Sequence, residues 1–355
     1  MTGVERPLPP PTADRYSRQI LYPPIGAAGQ ARLRAARVLL TGCGGLGAEA
    51  ASLLARAGVG FLRIVDRDVV ELTNLQRQSL FDETDVRDCI PKAVAAARHL
   101  AAINSEVVVE PVVTDLHAGN LAELLEGVDL VVDGFDNFEG RYLLNDACVR
   151  AGLPWVHGAC VGSYGVSTLI VPGKTPCFRC LQPELPPPGS TPTCDTVGIL
   201  GPAAHLIASL EVARALRWLV TREAPQPPVL VSADVWDLRF QHVELPPRDP
   251  RCPCCGERRF EFLERGPAPA EALCGRDSVL VRPPSAAAPD FTAIATRLRR
   301  AHAEGGSGEV LANEFVLRLR KPPHELTLFS DGRAIVKGTD DPALARSLVA
   351  RWFGA

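Results

Sequence analysis

The sequence predicts an α/β fold, a doubly wound and mostly parallel sheet with helices on both faces, followed by a small α+β C-terminal domain. Three observations carry this. An apolar strand runs into a glycine-rich turn at Gly42, apolar strands and helical stretches then alternate along the chain, and the composition shifts near residue 261 to a proline- and alanine-rich linker. At 355 residues, 46% hydrophobic and 22% charged, the chain can bury one large core and leave material for a second, smaller unit. Domains are expected at residues 1–260 and 261–355.

The formal net charge of -3 gives no global electrostatic reason to expect a nucleic-acid or membrane partner. Residues 1–14 are proline-rich and lack the basic-then-apolar pattern of a signal peptide, and no uncharged apolar run approaches the roughly 18 residues of a membrane span. The expectation is a cytoplasmic protein that binds neither nucleic acid nor membrane. Eleven cysteines in a chain this long, with two CxxC pairs among them, point to metal binding and thiol chemistry before disulfides.

Residues 15–35 read as helical, and residues 37–41 as a buried strand entering the turn. A helix over residues 48–57 and a strand over 61–65, ending at Asp66, complete a strand, turn, helix, strand unit. That is the opening of a dinucleotide-binding, Rossmann-like fold. Helical stretches at 91–102 and 121–126 precede the β-branched runs 107–109 and 130–132, and residues 166–171 read as another strand. Residues 183–193, dense in Pro, Gly, Ser and Thr, are expected to be an exposed, mobile loop. A long helix over 200–220 carries Leu206, Ile207, Leu210, Ala213 and Leu216 at helical spacing, for core or subunit contact, and strands follow over 229–244. The C-terminal domain shows strands near 279–281, 314–319 and 325–336, a hairpin turn at Asp331-Gly332, and an amphipathic helix over 342–353. No internal repeat is visible.

The turn Gly42-Cys43-Gly44-Gly45-Leu46-Gly47 satisfies GxGxxG and is trailed by Asp66 about twenty residues on. Glycines let the backbone approach phosphates at a helix N-terminus, and the acid can accept hydrogen bonds from ribose hydroxyls. Alone, the motif favours NAD or FAD, with a merely tight turn as the bland reading. Further on stand Asp66-Arg67-Asp68, Thr73-Asn74-Leu75-Gln76-Arg77-Gln78, Ile90-Pro91-Lys92 and Asp133-Gly134-Phe135-Asp136-Asn137, each after a strand or at a helix start. Adenylyl transfer needs such parts: cations to neutralise a triphosphate, a carboxylate for magnesium, and polar groups that orient an attacking carboxylate. Hydride transfer needs none of them, and no Tyr-x-x-x-Lys pair follows the nucleotide unit. Singly, Arg77 or Lys92 reads as a solvated surface charge; their joint occurrence in this order carries the weight.

With Arg15-Tyr16-Ser17-Arg18-Gln19 near the start, these motifs and the cysteine pairs make residues 14–256 resemble the ThiF/MoeB adenylyltransferases of the ubiquitin-activating-enzyme superfamily. The chain looks most similar to bacterial ThiF with a C-terminal extension. The resemblance implies a nucleotide site at the turn glycines Gly42, Gly44, Gly45 and Gly47, with ATP contacts from Gly45, Asp66, Asn74, Arg77, Lys92, Asp136 and Asn137. It also implies that Asp136 holds Mg2+ and that Arg18 reaches the phosphates from the partner subunit of a homodimer. The implied substrate is a ubiquitin-like sulfur-carrier protein (ThiS- or MoaD-like) ending in Gly-Gly. Its terminal carboxylate would be adenylated, priming it for sulfur transfer in thiamine-thiazole biosynthesis or, alternatively, molybdopterin biosynthesis. A noncatalytic docking module for ubiquitin-like proteins is the alternative of another class.

Cys177-Phe178-Arg179-Cys180 and Cys252-Pro253-Cys254-Cys255 can supply four thiolates, Cys177, Cys180, Cys252 and Cys255, to one tetrahedral Zn2+. Their proximity is implied by the resemblance, and the closed coordination makes the role structural; either pair alone could be a redox CxxC or ordinary buried thiols. Cys194 matches the family's crossover-loop cysteine, associated with covalent sulfur chemistry. An exposed cysteine at a helix N-terminus would have a lowered pKa, and catalytic and incidental readings stay level. Cys43, Cys89, Cys148, Cys160 and Cys274 read as packing residues and His157 as a structural histidine. The C-terminal domain, too short for a rhodanese, is expected to dock the carrier or support the structure. Sulfur would then come from a separate donor such as a cysteine desulfurase.

Overall fold

A computed structural model describes residues 15–187, 190–266, 269–273, 277–282, 288–303 and 308–354. Residues 1–14, Cys274 and residues 188–189 of the proline-rich loop lie outside these. The first sheet contains β1 (Arg37–Thr41), β2 (Phe61–Asp66), β3 (Val108–Val113), β4 (Leu130–Asp133), β5 (Trp155–Val161), β6 (Tyr164–Ile170), β7 (Val229–Asp234) and β8 (Arg239–Glu244). Its order is β3-β2-β1-β4-β5-β6-β7-β8. Pairing is parallel from β3 through β5 and antiparallel from β5 through β8, so the parallel sheet carries an antiparallel extension on one edge.

Alternation along the strands explains the two layers of helices. Val38 and Leu40 of β1 enter the core shared with the helices Gly45–Arg56, Lys92–Ile103 and Gly201–Thr221, while Leu39 enters the opposite core with Phe138–Ala151. Burial on both faces is why β1 reads as a continuous apolar run. Phe138–Ala151 was not legible as a helix because Arg141, Asn145 and Asp146 are buried on it, which blurs its apolar stripe.

The second sheet contains β9 (Ala270–Leu273), β10 (Ser278–Val281), β11 (Glu309–Ala312), β12 (Val316–Lys321), β13 (His324–Phe329) and β14 (Ala334–Lys337), in the order β11-β12-β13-β14-β10-β9. All its pairings are antiparallel. One face, with Val279, Leu317, Leu326 and Val336, packs with Val349 and Phe353 of the helix Pro342–Phe353. The other face presents Leu280, Phe329 and Ile335 to Val69 and Cys89 of the first unit. The connecting chain stays attached to the first core through Phe262, whose ring lies 4.8 Å from that of Tyr142. Among the described residues, no helix is long and apolar enough to cross a membrane.

Candidate active site

The turn after β1 is locked by contacts only glycine allows. Gly42 has φ +101°, and a Cβ there would sit 2.6 Å from the carbonyl oxygen of Gly134; a Cβ on Gly47 would strike the Gly42 carbonyl. The helix Gly45–Arg56 can therefore start close against the loop after β4, with its N-terminal N–H groups open to an anion. Asp66, at the end of β2, closes the far side of the turn. Its carboxylate accepts from the Cys43 amide at 2.6 Å and the Asp68 amide at 2.7 Å. Burial pushes its pKa up, and the Lys92 ammonium opposes that shift.

Sheet order diverges at β1, whose neighbours are β2 and β4, and a ligand crevice is expected beyond the carboxyl ends of the strands there. A cavity of about 1660 Å³ occupies this place. Gly42, Gly44, Gly45 and Asp66 line it on the turn side, Asn74, Arg77 and Lys92 on a second, and Asp136, Asn137 and Cys194 on a third. Its size exceeds the roughly 300–1,000 Å³ of a small-molecule pocket and leaves room for an extended peptide tail.

Lys92 is 5% exposed and sits at the start of Lys92–Ile103, its Nζ 3.2 Å from Asp68 Oδ2. Arg77 donates to the Thr73 carbonyl at 3.0 Å, and Asn74 Oδ1 accepts from the Glu71 amide at 3.0 Å. Asn137 caps the helix Phe138–Ala151 by accepting from the Gly140 amide at 2.8 Å and donates to Asp136 Oδ1 at 3.1 Å. Two residues expected at the nucleotide do not line the cavity of the single chain: Gly47, whose part is the turn itself, and Arg18, exposed on Ser17–Ile20.

Two features of the cavity and its walls carry no motif of their own. Gln78, 2% exposed, lines the cavity with its Oε1 buried and without a hydrogen-bond partner, and the polar run from Thr73 to Gln78 was the available signal. Asp133, fully buried, accepts from Arg141 Nε at 2.9 Å, His157 Nδ1 at 2.9 Å and the Phe135 amide at 2.9 Å. Burial works against its ionisation, yet Arg141 and His157 hold its pKa below the usual carboxylate range. This anchor fixes the loop that presents Asp136 and Asn137.

Cys177, Cys180, Cys252 and Cys255 converge, with sulfur separations of 3.9 Å between Cys177 and Cys180, 3.6 Å between Cys177 and Cys252, and 3.4 Å between Cys180 and Cys255. Four thiolates about 2.3 Å from one tetrahedral zinc lie about 3.8 Å apart, so the donor set fits. Cys254 stands outside this four-sulfur group although its thiol lies beside Cys177, and its sulfur accepts from Asn145 Nδ2 at 3.2 Å.

Cys194 departs from the expectation of an exposed thiol with a lowered pKa. It is half-buried at the start of the four-residue helix Cys194–Val197, with its thiol directed at the Cys160 carbonyl 3.4 Å away. Burial pushes its pKa up, only partly countered by Arg77. One short helical turn does not outweigh desolvation.

Fold and cavity define a nucleotide-binding α/β protein with a cluster of four cysteines. The ThiF family pattern matches residues 16–254, and the chain belongs to that family. It is 44% identical over 342 residues to the sulfur carrier protein ThiS adenylyltransferase of Bacillus subtilis, covering 96% of this chain and 99% of the relative. It is 40% identical over 267 residues to the sulfur carrier protein adenylyltransferase of Thermus thermophilus, covering 74% of this chain and 96% of that one. Among solved structures, E. coli MccB with MccA-N7isoASN superposes with a TM-score of 0.60 at 26% identity, over 70% of this chain and 75% of that chain.

Proposed function

We propose that this protein adenylates the C-terminal glycine of a ubiquitin-like sulfur-carrier protein of the ThiS kind, consuming ATP and releasing pyrophosphate. The observation that carries this reading is the gathering of the glycine turn, Asp66, Arg77, Lys92 and the Asp136-Asn137 pair around one cavity. The carrier's terminal carboxylate attacks the α-phosphorus, the bond to the bridging oxygen breaks, and its electron pair leaves with pyrophosphate. No protein nucleophile is required. Asp66 orients the ribose, while Arg77, Lys92 and the N–H groups at the start of Gly45–Arg56 stabilise charge shifting onto the leaving group. Asp136 and Asn137 are suited to hold Mg2+, which when bound supplies further neutralisation of the phosphates.

The similarity to the Bacillus protein, over a span that takes in the C-terminal domain, supports ThiS-type chemistry and thiamine-thiazole biosynthesis. Exposed Trp236 and Leu238 beside Phe240 of β8 offer an apolar surface for the carrier's globular body. We further infer a homodimer, in which Arg18 serves the neighbouring site; the exposed Leu21 and Tyr22 beside it support a contact there. The four-cysteine knuckle holds a structural Zn2+, and a cysteine desulfurase supplies sulfur. The two CxxC pairs, read as metal and thiol chemistry, suit a reducing cytoplasm. The two domains are 1–260 and 261–355, and the described chain reaches the second sheet at Ala270.

Hydroxylamine trapping tests the reaction. With ATP, Mg2+ and a Gly-Gly carrier, the trapped carrier is expected to gain a C-terminal hydroxamate. An unmodified terminus from folded protein contradicts the reading.

A further inference from the structure

Three separated segments build the nucleotide side of the cavity, residues 66–68, 71–77 and 89–92, and each is gripped by a residue of the C-terminal domain. Arg333, between β13 and β14, is 3% exposed and donates from Nη1 to the Arg67 carbonyl at 2.7 Å. Arg67 stands between Asp66, whose carboxylate binds the glycine turn, and Asp68, whose carboxylate meets Lys92. The Arg67 side chain is held too: it pairs with Asp115 at 2.9 Å, and Asp115 pairs in turn with Arg282 of the C-terminal domain.

Lys337 of β14 pairs with Glu71, the residue that caps Leu72–Asn74 and whose amide donates to Asn74 Oδ1. Asn313, after β11, donates to the Asp88 carbonyl at 2.9 Å and the Cys89 carbonyl at 3.3 Å, just ahead of Lys92. Cys89 has φ +53°, a conformation unfavourable for a residue with a Cβ, and needs its surroundings to hold it. Apolar packing of Leu280, Phe329 and Ile335 on Val69 and Cys89 completes the clamp. Phe329, Ile335 and Lys337 also line the cavity itself.

We propose that the C-terminal domain is a wall of the nucleotide subsite, and that Arg333, Arg282, Asn313 and Lys337 are positioning residues that preorganise Asp66, Asn74 and Lys92 for ATP. This rests on assigning Asp66 and Lys92 to the nucleotide. It differs from a carrier-docking role for the domain, because it puts the effect of the domain on ATP.

The test is pyrophosphate exchange by the full-length protein, with KM for ATP and for the carrier measured separately. Arg282→Gln and Arg333→Ala are expected to raise KM for ATP about tenfold, the scale of one lost hydrogen bond to a charged group, with the carrier KM near wild type. Arg282→Lys is expected to recover part of the ATP KM. Arg282 is partly exposed, so its variants report even if burial of Arg333 makes Arg333→Ala unstable. An unchanged ATP KM in folded Arg282→Gln, or a rise confined to the carrier KM, overturns the proposal. Lys92→Ala run alongside separates the two claims: normal exchange by that variant would remove the nucleotide-site reading itself. Loss in Lys92→Ala with an unchanged ATP KM in Arg282→Gln would remove only the positioning role.

Discussion

Lys92 is bound to Asp68 twice: its amide donates to the Asp68 carbonyl at 2.9 Å, and its ammonium stands 3.2 Å from the Asp68 carboxylate. The double link fixes the cation at the cavity wall before any substrate arrives, which is the condition for electrostatic preorganisation. Lys92→Ala is therefore expected to lower the exchange rate by about 10²–10³ while the protein stays folded. Steady-state exchange combined with circular dichroism checks it, and a rate near wild type would remove Lys92 from the site.

Glu211 is fully buried, neither carboxylate oxygen has a hydrogen-bond partner, and Gly158 opposite leaves the space it fills. Burial, then the nearby Asp133, pushes its pKa well above the carboxylate range. A group raised on folding contributes stability below its unfolded pKa and loses it as pH rises toward the folded one. Glu211→Gln should thus stabilise the protein by about 1–3 kcal/mol at neutral pH, with the gain shrinking toward pH ~4. Denaturant melts across that range test the sign, and a gain larger in acid would contradict it.

The cysteine knuckle should carry about one zinc per chain. Cys180→Ser or prolonged chelation is expected to strip the metal and lower the melting temperature, since metal binding is coupled to folding. Cys254→Ser should leave zinc content unchanged, because that sulfur stands outside the converging four-sulfur group. Elemental analysis distinguishes the two; loss of zinc in Cys254→Ser would mean the ligand set is misassigned.

Cys194 sits in the cavity wall with a raised pKa, and the adenylation step needs no nucleophile. Cys194→Ser should keep pyrophosphate exchange and affect only later sulfur transfer. Alkylation of Cys194 in the wild type should accelerate only at alkaline pH. Loss of exchange in a folded Cys194→Ser protein would contradict this assignment.

The glycine turn and Asp66 were legible because their constraint is local: a backbone that admits no Cβ and an acid at the next strand end. That Arg77, Lys92, Asp136 and Asn137 would line one cavity was legible only from their order as a set, since each alone resembles a surface residue. The helix Phe138–Ala151 stayed hidden because its polar residues are buried in specific partnerships, Asn145 with the Phe178 amide and Asp146 with the Phe262 amide. The switch to antiparallel pairing after β5 depends on long-range registry that periodicity does not encode. The same holds for the C-terminal clamp. Arg333 and Arg67 are 266 residues apart in sequence, and no motif links them.

The most direct measurement is ATP–pyrophosphate exchange with Mg2+, comparing ThiS- and MoaD-like carriers that end in Gly-Gly with versions lacking the final glycine. Carboxylate adenylation predicts exchange with an intact terminus and none with the truncated one, with the preferred carrier indicating the pathway. Exchange indifferent to the terminal glycine, or none with any carrier from folded, zinc-loaded protein, would contradict it.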